Sequence, residues 1–165
     1  MSLFCYPNAA VGALLEAWAA GQQRVHALVP DGVAGAAVGA FLGHAPRTGS
    51  PCTVGALTLA VVPFVDQQAF DRRLWSCDFA VVRGEDSFVR AQWAARPFAW
   101  HIYPQDDAAH RVKLDAFLAR YEAGLAQEAA AALAAFTHAF AEGDGAGVAR
   151  IWPALRRLLP ALDDH

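Results

Sequence analysis

Five short runs of strand-forming residues recur along the chain: Leu3 to Tyr6, Arg24 to Pro30, Thr53 to Phe64, Phe79 to Val82 and Pro97 to Tyr103. Each is followed by a segment with apolar residues at helical spacing, such as Val11, Leu14, Leu15 and Trp18 within Ala9 to Ala20. Connections of that length cannot close hairpins, so strand and helix must alternate as right-handed crossovers over a parallel sheet. The expected fold is α/β, a Rossmann-like three-layer domain. Three features resist the pattern. Gly35 and Gly39 weaken a helix over Val33 to Leu42, Gly55 makes Thr53 to Phe64 either a hairpin or one bent strand, and Pro153 interrupts a last helix over Gly145 to Leu159. From about residue 108 to 162 the chain reads as helix throughout, including an alanine-rich segment from Gln127 to Ala141.

In such a sheet, ligands bind beyond the carboxyl ends of the strands, which directs attention to Asp78 to Trp93, DFAVVRGEDSFVRAQW. A buried strand runs into the turn Arg83-Gly84-Glu85-Asp86-Ser87, and a helix follows. Asp86 or Ser87 can cap that helix, whose first N–H groups and dipole favour a phosphate. Arg83 supplies a fork of donors suited to a diphosphate, while Glu85, which would repel phosphate, suits sugar hydroxyls. The turn therefore describes a site for a nucleotide with sugar and phosphates. The same five residues also describe an ordinary capped helix with a surface Arg–Glu pair. Phe4, Tyr6 and Phe64 stand at other strand ends, where a flat ring can take a base and the Tyr6 hydroxyl can reach a phosphate. With Gln67 they would converge on one crevice. Tyr103 to Asp107 ends at the same edge, where its Asp pair can cap the next helix.

Several classes are disfavoured. The turn after the first strand reads Pro7-Asn8-Ala9-Ala10-Val11-Gly12, without the glycine fingerprint of a dinucleotide fold, and there is no P-loop. None of His26, His44, His101, His110, His138 or His165 is spaced with a second ligand, so no metal is expected. A net charge of -3 gives no basic field for nucleic acid. Three cysteines, an odd number with no C-x-x-C pair, fit a reduced cytoplasm. No run is long enough for a membrane span, and the start lacks a signal core. The chain begins almost directly in a strand, which is expected of a fragment. Hydrophobic residues make up 56% against 18% charged, an excess that hints at a face to be covered, though much of it is alanine.

The run RGEDSFVRAQWAARPFAWHIYPQDDAAHRVKLDAFLARY, from Arg83 to Tyr121, resembles the EarP family, protein-arginine rhamnosyltransferases that modify elongation factor P in bacteria. FCYPNAAVGALLEAW and VVPFVDQQAFDRRLWSCD fit the same family. The resemblance implies the C-terminal half of a two-domain GT-B glycosyltransferase, with dTDP-β-L-rhamnose as donor substrate, elongation factor P as acceptor partner and no metal or other cofactor. It implies that Phe4 and Phe64 flank the thymine, with Gln67 near the base, and that Glu85 binds the deoxyribose. Tyr6, Arg83, Asp86 and Ser87 would hold the diphosphate and the rhamnose. Two departures stand out: the family's N-terminal acceptor domain, with its acidic catalytic residues, is missing, and the chain stops short of the last helix that such domains carry back across the cleft. No catalytic residue is therefore expected in this chain. The alternative from another class is a non-catalytic α/β interaction module. A small phosphate-binding enzyme complete in itself would need a base and a nucleophile, and no convincing pair is present.

Overall fold

The structure, a computed structural model, describes residues 1–106 and 108–163. Thirteen elements follow in order: β1 (Ser2–Leu3), α1 (Ala10–Ala20), β2 (Val25–Pro30), α2 (Gly35–Leu42), β3 (Cys52–Val54), β4 (Leu57–Val62), α3 (Gln67–Trp75), β5 (Ala80–Arg83), α4 (Asp86–Ala94), β6 (Phe98–His101), α5 (Ala109–Tyr121), α6 (Gln127–Ala141) and α7 (Gly145–Asp163). The sheet order is β3-β4-β2-β1-β5-β6, and every neighbouring pair is parallel except β3 with β4. Without β3 this is the doubly wound arrangement in which connections run outward in both directions from the middle. The order reverses between β1 and β5, and the strand ends diverge there to leave a crevice.

The sheet is thus mixed rather than wholly parallel, and the ambiguous run Thr53 to Phe64 is a hairpin. Gly55 makes it one: its φ is +56°, and a Cβ there would sit 2.2 Å from the Ala19 carbonyl oxygen. Ala56 N–H donates to that same oxygen at 2.8 Å, so the turn is stitched to the end of α1. β1 is shorter than the apolar run predicted, since after Phe4 N–H bonds Val81 O at 2.9 Å the chain leaves the ladder. That early departure frees Phe4 and Tyr6 from the sheet.

Helices cover both faces. On one side α1, α2, α6 and α7 close over Leu3, Val29, Leu59, Phe79 and Val81, with Phe136 and Trp152 packed ring to ring on Phe79 and Trp18 on Trp152. On the other, α3, α4 and α5 close over Val82, Phe98 and Trp100. The glycines of α2 do not prevent it, because Val38 is fully buried against the first core. Nor does Pro153 break α7, which continues through it and through Pro160. Both prolines lie on the solvent side, where the carbonyls that lose a partner can take water, while Trp152, Leu155 and Leu159 anchor the opposite face. The apolar excess is largely consumed internally. Among the described residues Trp93 and Trp75 stay 72% and 54% exposed.

Candidate functional site

At the carboxyl ends of β1, β2 and β5 lies a cavity of about 400 Å³, within the range of small-molecule sites. The eight residues assigned to the site from the sequence, Phe4, Tyr6, Phe64, Gln67, Arg83, Glu85, Asp86 and Ser87, all line it, whereas Tyr103 and Asp106 do not. It has two unlike ends. Phe4 meets Phe64 edge to face, with ring centres 6.2 Å apart, and meets Phe70 at 5.5 Å, which makes an apolar wall. Phe64 is 60% exposed, at the mouth. Its ring stands at 74° to that of Phe4, so the two do not present parallel faces to one flat base unless the exposed ring turns.

The other end is polar. The Arg83 guanidinium lies 4.5 Å from the centre of the Phe4 ring and 5.1 Å from that of Tyr6, and its Nη1 donates to Cys5 O at 3.3 Å. Two π faces and a carbonyl hold the fork in one orientation. Burial raises the Tyr6 hydroxyl above its ordinary value, with Arg83 pulling partly the other way, so at neutral pH it is a protonated donor. Burial also pushes the Cys5 thiol up to about 12, leaving it an unreactive side chain whose carbonyl does the positioning.

The β5–α4 turn is fixed from within. Gly84 has φ +61°, a conformation a side chain would strain, and a Cβ there would lie 3.1 Å from the Tyr6 hydroxyl oxygen. Trp100 Nε1 donates to Gly84 O at 2.9 Å. Ser87 is buried, and its hydroxyl accepts from Arg83 N–H at 3.0 Å and donates to Arg83 O, closing the turn on itself. Neither Asp86 nor Ser87 caps α4: the N-cap position falls to Glu85, which makes no side-chain capping bond. Both already lie inside the helix as its first two residues, where Ser87 closes the turn and Asp86 Oδ2 accepts from Arg90 Nε at 3.2 Å. The first turn of α4 therefore offers the crevice N–H donors that no side chain takes. Asp106 is exposed in the loop before α5, whose N-cap is Ala108, and the expected role of Asp107 lies outside the described residues, as does His165.

Of the α3 side of the crevice, sequence reasoning found only Gln67. Pro30, Val65, Phe70, Arg73 and Arg90 also line it. Asp66 caps α3, accepting from Ala69 N–H at 2.8 Å, and Phe70 follows Gln67 by three residues, the spacing that puts both on one helix face and could have revealed it. Arg73 Nη1 donates to Pro63 O at 3.0 Å. Arg90 bridges the walls, with Nη1 at 3.0 and 2.9 Å from the two Asp71 oxygens besides its bond to Asp86. Carboxylates thus engage Arg90, whereas among the described residues the charge of Arg83 meets rings and a carbonyl. Among the described residues no group of three or more His, Cys, Asp or Glu is placed to hold a metal ion, and no helix is long and apolar enough to cross a membrane.

Behind Tyr6, at the end of β6, His101 is 3% exposed. Burial, and secondarily the charge of Arg83, lower its pKa to about 4, so the imidazole is neutral at physiological pH. Asn8 Nδ2 lies 3.3 Å from its Nε2.

Comparison with known proteins bears on this geometry. Residues 1–165 match the model of a family described as the elongation-factor P (EF-P) rhamnosyltransferase EarP. The chain is 50% identical, over all of its length, to a protein-arginine rhamnosyltransferase of Pseudomonas putida, covering 44% of that protein. With the protein-arginine rhamnosyltransferase of Shewanella oneidensis it shares 43% identity over 99% of its length and 43% of that protein. A solved structure described as the structural basis for EarP-mediated arginine glycosylation of translation elongation factor EF-P superposes with a TM-score of 0.88. The sequences are 47% identical, and the match covers 99% of this chain and 52% of that one. The chain spans somewhat under half the length of these curated relatives.

Proposed function

The chain belongs to the EarP family of elongation-factor P rhamnosyltransferases, and from that premise we propose that it is the donor-binding half of a GT-B enzyme. In this reading the full-length protein transfers rhamnose from dTDP-β-L-rhamnose to an arginine of elongation factor P in the cytoplasm. The observation that carries it is the two-ended crevice: an apolar aromatic wall and a fixed arginine beside free helix N–H groups meet at one topological switch point. A base needs the first and a diphosphate the second.

Thymine stacks on Phe4 or Phe64, with Phe70 behind and Gln67 at its polar edge. Glu85 accepts from the deoxyribose hydroxyl. The diphosphate lies along Arg83, the Tyr6 hydroxyl and the first turn of α4. Asp86 sits near the rhamnose, and Ser87 acts by holding the turn closed. When the arginine nitrogen attacks the anomeric carbon, the bond to the phosphate oxygen breaks on the opposite face, dTDP keeps the electron pair and the guanidinium loses a proton. Charge grows on the departing oxygen, so donors fixed there stabilise the transition state more than the ground state. The group that takes the proton is assigned to the part of the enzyme beyond this chain.

The test is a thermal shift with dTDP. A ligand that binds only the folded state must raise the midpoint, by an amount set by concentration over affinity. A rise that saturates with dTDP supports the reading. No shift at millimolar dTDP would leave the non-catalytic interaction module in its place.

A further inference from the structure

We infer that Asn8 and His101 form a positioning pair that fixes the Tyr6 ring, and through it the Arg83 guanidinium, at the phosphate end of the crevice. It rests on the donor site proposed above and deepens it, because neither residue lines the cavity.

The carboxamide of Asn8 is engaged at three points. Its Oδ1 accepts from Ala10 N–H at 2.7 Å, which identifies the oxygen, and its Nδ2 donates to Phe140 O at 2.6 Å. The remaining Nδ2 hydrogen faces His101 Nε2 at 3.3 Å. An amide nitrogen only donates, so Nε2 must accept and the neutral ring carries its proton on Nδ1. That Nδ1 is buried without a hydrogen-bond partner among the described residues. The imidazole is accordingly held by one polar contact and by two rings, Phe140 at 5.3 Å and Tyr6 at 5.4 Å, both edge to face. Tyr6 in turn touches Tyr103 at 5.3 Å and Arg83.

One amide thereby ties the start of α1, the end of α6 and the end of β6 together behind the ring that flanks Arg83. A protonated His101 would lose the acceptor that Asn8 needs and would set a second cation near Arg83. Keeping the ring neutral preserves the contact and adds no second cation beside Arg83.

Two measurements on the 165-residue chain test this. Nitrogen NMR of the His101 ring at pH 7 is expected to show the Nδ1–H tautomer, and Asn8→Asp, the same shape with an acceptor in place of Nδ2, is expected to move the proton to Nε2 or to protonate the ring. An Nε2–H tautomer in the unmodified chain overturns the inference. Calorimetry with dTDP and with thymidine then reads the positioning. His101→Ala is expected to weaken dTDP by roughly tenfold, as for a charged contact displaced rather than deleted, with thymidine within about twofold. His101→Phe, which keeps a ring against Tyr6 and Phe140, is expected to recover most of that loss. Equal losses for both ligands, or no loss for dTDP in the alanine variant, overturn the inference and leave the donor site standing. If the unmodified chain binds no dTDP, the donor site fails first and the positioning role falls with it.

Discussion

Arg83→Lys isolates what the shape of the guanidinium contributes, because it leaves the formal charge unchanged. Arg83 is held by Phe4 at 4.5 Å, by Tyr6 at 5.1 Å and by Cys5 O at 3.3 Å, and these contacts leave the rest of a planar fork toward the cavity. A lysine ammonium keeps the attraction for phosphate but presents rotating point donors and cannot be pinned between two ring faces in the same way. The loss should be about one hydrogen bond to a charged group, roughly 1.5–3 kcal/mol. That corresponds to dTDP binding weaker by about ten- to a hundredfold. Thymidine lacks the phosphates and should bind within about twofold of the unmodified protein. Isothermal titration with both ligands, alongside a melting curve to verify folding, reads the difference. A folded lysine variant that binds dTDP as tightly as the parent would refute the assignment of the fork to the diphosphate.

Other expectations follow from the same geometry. Phe64→Ala should weaken dTDP by about 1–3 kcal/mol, as for a lost stacking partner, with pyrophosphate competition scarcely altered. Glu85→Gln should cost about 1.5–3 kcal/mol of dTDP affinity if the carboxylate accepts a sugar hydroxyl, and unchanged calorimetry in a folded variant would remove it from the site. The low pKa of His101, about 4 against 6.5, means that the unfolded chain binds a proton between these values that the folded one does not. Stability from this group is complete above pH 6.5 and is lost as pH falls to about 4; denaturant midpoints for His101→Phe should lose that part of the slope. Finally, the chain by itself should bind the donor and transfer nothing: incubation with dTDP-rhamnose and elongation factor P should leave the acceptor's intact mass unchanged. A rhamnose-sized gain would place the proton acceptor among Glu85, Asp86 and the other carboxylates of this chain.

The β-α alternation and the Arg83 to Ser87 turn could be read directly because each signal is local: strand residues, a tight turn and a helix start fall within a few positions. Where local signals conflicted, packing decided. Gly35 and Gly39 lower helix propensity, yet burial of Val38 outweighs them, and the outward placement of Pro153 and Pro160 lets α7 pass through two residues that ordinarily end a helix. Capping was misread at α4 because Asp and Ser are both good caps, but the helix starts at Asp86, so both fall inside its first turn, where Arg90 one turn on and the Arg83 backbone one turn back engage them. The Asn8–His101 contact joins residues 93 apart, and a lone buried histidine carries no sign in the sequence of which residue it faces. Arg73 and Arg90 escaped notice for a similar reason: helical periodicity gives a face, and the direction of that face is set by the sheet.

The Arg90 bridge between Asp71 on α3 and Asp86 on α4 also bears on how fast a ligand gets in. The leg that joins the two helices pairs Arg90 and Asp71, 12% and 22% exposed, so salt screens it weakly and the two walls are expected to move together during an encounter. What can yield at the mouth is Phe64, and a surface ring reorients in picoseconds to nanoseconds, whereas loop opening takes far longer. Entry of the nucleotide proposed for this crevice should then be governed by diffusion and by the pull of Arg83 on its charge, with differences in affinity among ligands expected as differences in residence time.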